Sequence, residues 1–99
     1  MNQKKNIFVY WVGPKPSLIH VLHGLMRLHS CGGKHCKLHI LGRDDFLNNY
    51  PDAPKCFDRL KPAHQADVVR VWALLKHGGI WLDSDTLVMG CLASIFDDV

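Results

Sequence analysis

Apolar positions in this chain are grouped in three different periods, and each predicts its own element. Ile7 to Val12 is an unbroken β-branched and aromatic run that stops at Gly13-Pro14. Such a run is expected to form a strand buried on both faces, in the middle of a parallel sheet. Beyond it Leu18, Ile19, Val21, Leu22, Leu25, Met26 and Leu28 recur at helical spacing, with Ser17 placed to cap the first turn and Gly32-Gly33 to end the pattern. Lys37 to Leu41 alternates loosely up to Gly42, which predicts a second parallel strand and closes a β-α-β unit. Asp44 to Asn49 reads as a short helix, with Asp44 and Asp45 as its favourable N-terminal charges. The stretch from Tyr50 to Lys61, interrupted by Pro51 and Pro54, reads as a surface loop.

The third pattern is the longest. Pro62 suits a first helical turn, and Ala63 to His77 runs without a breaker to Gly78-Gly79. Gly79 to Leu82 then predicts a short apolar strand that delivers Asp83-Ser84-Asp85, followed by a further extended piece over Thr86 to Met89 and the opening of another element at Ala93 to Asp98. The fold class expected is α/β, one domain covering 1–99. A chain of 99 residues has room for a single modest core.

Composition limits the choices. With 47% hydrophobic and 21% charged residues the chain falls in the ordinary globular range. The formal net charge of +3 is scattered, with only Lys4-Lys5 as an adjacent basic pair, so no nucleic acid partner is indicated. No apolar run approaches a bilayer span, and no signal-peptide pattern follows Met1, so the expectation is a cytosolic chain with Cys31, Cys36, Cys56 and Cys91 reduced.

Asp83 and Asp85 carry the chemistry. A buried strand ending in two acids places both carboxylates at the edge where open α/β sheets bind ligands. Their mutual repulsion is relieved by a hard divalent cation, which suits Mn²⁺ or Mg²⁺ bound by oxygen ligands and leaves positions open for phosphates. D-x-D alone is common in surface loops; its setting here, after a long helix, a Gly-Gly turn and an apolar strand, makes it informative. On a helical wheel of Ala63 to His77, Gln65 and Lys76 read as the solvent stripe, and Asp67 and Arg70 as an inward pair, serving either as a structural ion pair or as contacts to a polar ligand.

Ala63, Ala66, Asp67 and Arg70 in A-x-x-A-D-x-x-R, then L-L-x-x-G-G-I-W-L-D-S-D, resemble the DXD-containing sugar transferases, among them capsular polysaccharide and yeast-type mannosyltransferases. Val9-Tyr10-Trp11-Val12-Gly13 is similar to the first-strand segment of that family. The resemblance implies a GT-A fold, a Rossmann-like α/β sandwich that binds a nucleotide-diphosphate sugar with Mn²⁺ or Mg²⁺ and transfers the sugar with retention to a glycan or other acceptor. It implies that Asp85 is the main metal ligand and that Asp83 contacts ribose or sugar and shares the metal. It further implies that Asp67 and Arg70 hold sugar hydroxyls and phosphate, and that Trp11 and Val12 line the base pocket. No catalytic residue is assigned. Family members run to about twice this length or more, so the chain is expected to be the N-terminal, donor-binding part, with the C-terminal half incomplete. GDP-mannose, UDP-glucose and UDP-galactose are all admissible donors.

Rival readings stay open. A truncated relative that binds a nucleotide sugar or a partner without turnover fits the same motifs. His29, Cys31, His35, Cys36 and His39 contain zinc-type ligands, but lack C-x-x-C spacing, and a plain loop explains them as well. His20 and His23 read as packed or solvent-facing helix residues, Trp72 as core, and Trp81 as packing beneath the acidic turn or as a contact to donor or acceptor.

Overall fold

β1, Lys5–Tyr10, is the central strand of a three-stranded sheet of order β2-β1-β3, parallel throughout, in a computed structural model that describes residues 5–30 and 36–90. β2 is Cys36–Leu41, in register with Ile7 opposite Leu38 and Val9 opposite Ile40. β3, Ile80–Trp81, pairs with Ile7 and Phe8.

The unbroken apolar run of β1 is buried on both faces, as expected. Alternation sends Ile7 and Val9 to one side, where they pack with Met26, Cys36 and Val88. Phe8 and Tyr10 go to the other side, into a cluster with Phe46, Tyr50, Phe57, Val69 and Ala73. The expected strand bounds of Ile7 to Val12 move two residues earlier. β3 ends opposite Phe8 and β2 opposite Tyr10, and beyond Tyr10 the Trp11 N–H still donates to the Leu41 carbonyl at 3.0 Å.

α1, Ser17–Leu28, buries Ile19, Leu22, His23 and Met26, the i, i+3, i+4, i+7 stripe of an amphipathic helix. Ser17 is its first residue and not its cap. The chain arrives extended at Pro16, whose carbonyl already accepts the His20 N–H at 3.1 Å. α2, Arg43–Asn49, begins as expected from its acids: the Asp45 carboxylate accepts the Gly42 N–H at 2.9 Å. Asp44 pairs with Arg43, whose guanidinium also grips Asp58 through two bonds of 2.6 and 2.8 Å. The following loop contains one 3-10 turn, Phe57–Arg59.

α3 runs Pro62–His77, bounded by Pro62 at one end and at the other by Gly78, whose N–H donates to the Leu74 carbonyl. Its orientation is the principal correction. Gln65, Val69 and Ala73 form the buried seam, while Asp67 and Arg70 face solvent with side chains 63% and 48% exposed. Gln65 is accommodated inside because its amide is satisfied there. The Tyr10 hydroxyl donates to its Oε1, and its Nε2 donates to the Phe57 carbonyl, both at 3.1 Å. Lys76, the other residue expected at the solvent stripe, is exposed, its ammonium 3.0 Å from Asp52 and over the Tyr50 ring. Trp72 is half-buried against the Phe8 cluster.

Gly79 lies against β1 so closely that a Cβ there would collide with the Asn6 carbonyl, and its φ of 120° is one that other residues avoid. β3 is shorter than the expected Gly79 to Leu82, although the Leu82 N–H still donates to the Phe8 carbonyl at 2.9 Å. Thr86 to Met89 has no sheet pairing; Val88 packs into the Ile7 cluster instead. The element expected at 93–98 lies outside the described residues. Among the described residues no helix is long and apolar enough to cross a membrane.

Candidate functional site

Because β1 and β3 are parallel neighbours, their carboxyl ends leave the sheet side by side, and Tyr10-Trp11-Val12 emerges next to Asp83-Ser84-Asp85. Ser84 ties the two together. Its hydroxyl is buried and donates to the Tyr10 carbonyl at 2.7 Å. The acidic segment then turns, with the Thr86 N–H donating to the Asp83 carbonyl at 3.0 Å.

The two acids are held differently. Trp81 and Asp83 are two apart on one face of an extended segment, and the Trp81 Nε1–H donates to Asp83 Oδ1 at 3.1 Å. This leaves Oδ2 uncommitted and puts the indole beneath the acidic turn, as expected. Asp85 is exposed, and among the described residues its carboxylate has no hydrogen-bond or ion-pair partner.

A crevice of about 540 Å³ opens at this edge, lined among others by Trp11, Val12, Ala63, Ala66, Ser84 and Asp85. One wall is the end of β1. The other is the first turns of α3, where alanines leave space that larger side chains would fill. Trp11 is steadied by its Nε1–H, which donates to the Pro14 carbonyl at 3.3 Å. Burial, more than the opposing influences of Arg43 and Asp58, pushes the Tyr10 hydroxyl above its usual range, which keeps it a neutral donor to Gln65.

Of the residues singled out in the sequence, Trp11, Val12 and Asp85 therefore share one crevice. Asp83 adjoins it through the turn without lining it. Asp67 and Arg70 also lie outside the lining; they form an exposed i, i+3 ion pair at 3.2 Å. Ser84, Ala63 and Ala66 had no role assigned from sequence.

The donor chemistry fits a hard divalent ion: the Asp85 carboxylate lines a ligand-sized opening, and Asp83, two residues earlier in the turn, keeps Oδ2 uncommitted. Among the described residues no three His, Cys, Asp or Glu side chains gather as a metal site. Two protein ligands suit an ion that keeps water and phosphate in its remaining positions. The zinc-type set does not assemble among the described residues. Cys36 is buried and free, with burial raising its thiol above the usual range, and His39 is stacked on Phe8 with Nε2 3.1 Å from Asn6 Oδ1. Cys56 is free and exposed. Cys31, His35 and Cys91 lie outside the described residues.

A parallel sheet with helices on both faces, and a crevice and acid pair at its carboxyl edge, defines a mixed α/β domain compatible with a Rossmann-like glycosyltransferase. The chain belongs to the glycosyltransferase sugar-binding region containing DXD motif, whose family model matches residues 13–99. It is also similar to a protein of Arabidopsis thaliana, "Uncharacterized protein At4g19900", with 50% identity over 34 residues, which covers 34% of this chain and 5% of that protein. No solved structure matches the chain.

Proposed function

We propose that this chain is the donor-binding part of a metal-dependent hexosyltransferase, which takes a sugar from a nucleotide-diphosphate sugar and passes it, with retention, to a glycan or other acceptor. The observation that carries this reading is the shared crevice: an indole and a valine at the end of β1 face a carboxylate at the end of β3 across a ligand-sized gap. Trp11 and Val12 offer apolar surface to a nucleobase, and Ala63 and Ala66 leave room beside it. Asp85, with Asp83 Oδ2, holds Mn²⁺ or Mg²⁺. When bound, such an ion neutralises the charge of the departing nucleoside diphosphate. Trp81 orients Asp83 and Ser84 fixes the turn, so both carboxylates are positioned before the ligand arrives. Asp67 and Arg70 reach sugar hydroxyls and phosphate from the rim.

The test is calorimetric titration of the full chain with GDP-mannose and with UDP-sugars, each with and without Mn²⁺, using Asp85→Ala as the comparison. Metal-dependent binding that Asp85→Ala abolishes is expected. A folded chain that binds none of these ligands removes the donor site from this chain and leaves an interaction module.

A further inference from the structure

A second hollow, of about 450 Å³, opens on the α2–α3 side of the sheet, beside the early residues of β1 rather than its carboxyl end. Its volume lies within the roughly 300–1,000 Å³ typical of small-molecule pockets. Rings and basic side chains dominate its lining: Phe8, Tyr50, Lys37, His39 and His77, with Asn6 among them and no acidic residue. The His39 ring is stacked on Phe8 at 4.6 Å between centroids, and His77 is 6.0 Å from Phe8 and edge-on to Tyr50 at 5.9 Å.

Asn6 orders the polar groups. Its Nδ2 donates to the His77 carbonyl at 3.2 Å, so its Oδ1 is the atom facing His39 Nε2 at 3.1 Å. An acceptor at that place fixes the His39 proton on Nε2 and leaves Nδ1 without a proton in the neutral ring. Lys37 is exposed and has no partner among the described residues. Burial first, then the charges of Lys37 and His77, hold the His39 pKa below the usual histidine value. The other charged or titratable groups around it do not offset this: Lys76 is a further cation, Asp52 is engaged by Lys76, and Tyr50 is kept neutral by burial.

We propose that this hollow is a second binding site, for an organic oxyanion, phosphate or carboxylate, carried on a planar ring. The anion meets the ammonium of Lys37 and favours the protonated form of His39, and the ring stacks against walls already made of rings. Binding is therefore linked to proton uptake by His39. Nothing in this site depends on the donor crevice.

Phenyl phosphate titrated into the full chain, followed by the imidazole resonances in NMR, tests it. Both His39 and His77 signals are expected to move, and the His39 pKa to rise. Lys37→Ala and His77→Gln are each expected to weaken binding about fivefold, the scale of one exposed charge interaction, and Asp85→Ala to leave it unchanged. Imidazole signals that stay still up to about 10 mM ligand, or affinity unaltered by both Lys37→Ala and His77→Gln, overturn the proposal. Equal affinity for inorganic phosphate overturns the ring requirement.

Discussion

Replacing Ser84 with alanine tests how the acidic turn is held. Carbonyls two residues apart on a strand point the same way, so those of Phe8 and Tyr10 both face β3. Phe8 receives the Leu82 N–H, but β3 has ended before a backbone donor can reach Tyr10, and the Ser84 hydroxyl takes that place at 2.7 Å. The mutation loses a hydrogen bond worth about 1 kcal/mol net, and about 3 kcal/mol if the Tyr10 carbonyl is left dry. With a urea m-value of about 1–3 kcal/mol/M for a small protein, the unfolding midpoint should fall by roughly 1 M. Tryptophan fluorescence during urea unfolding reads it. Donor affinity should fall as well, because Asp83 and Asp85 lose the tether between them. A midpoint within about 0.2 M of the parent would refute the claim that this bond carries weight. A lower midpoint with undiminished donor affinity would reduce Ser84 to a purely structural residue.

Gln65→Leu should destabilise by about 2–6 kcal/mol in urea unfolding, since it strands two buried partners, the Tyr10 hydroxyl and the Phe57 carbonyl, at about 1–3 kcal/mol each; a solvent-facing Gln65 would show almost no change. His23 is buried, and among the described residues neither ring nitrogen has a hydrogen-bond partner. Burial first, then Lys15, Arg27 and His20, lower its pKa, so the folded state disfavours the charged ring. Stability is thus fully present above the ordinary histidine pKa of about 6.5 and declines as pH falls below it, His39 adding the same sign. His23→Leu should flatten that decline between unfolding midpoints taken at neutral and mildly acid pH. Arg70→Ala should change stability by less than about 0.5 kcal/mol, as an exposed pair, while weakening nucleotide-sugar binding in the calorimeter.

What could be read from sequence depended on whether a local pattern had one physical interpretation. The apolar run at β1 admitted only a strand covered on both faces, and the breakers Pro62 and Gly78 marked α3 to the residue. Strand ends were less legible, because β1 stops where its partners leave rather than where its own apolar residues do. The facing of α3 was misread for a related reason. With apolar residues on nearly every side, the wheel could be oriented only by its polar members, and Gln65 was assigned to solvent. Its partners, the hydroxyl of Tyr10 and the carbonyl of Phe57, come from distant parts of the chain, so no local pattern announces that a buried amide is satisfied. That Asp85 would stand at the sheet edge followed from its place just after a strand, whereas Trp11 and Val12 were singled out by the family resemblance; Ser84 was missed because its partner is a backbone carbonyl of another strand.

The corrected facing of α3 changes what Asp67 and Arg70 can do. Asp67 follows Ala63 by four residues and Arg70 follows Ala66 by four, so each stands one turn further along the stripe that lines the crevice. The pair continues that wall onto the open surface. A buried ion pair would have been committed to itself, since separating it leaves a desolvated charge. An exposed pair at 3.2 Å exchanges partners at little cost, and its guanidinium is available to a diphosphate lying across the rim. Solvent exposure of Asp67 and Arg70 is therefore compatible with the donor contact proposed for them. It also separates the two readings of Arg70, because a residue that only braces the helix would show its loss in unfolding and not in ligand affinity.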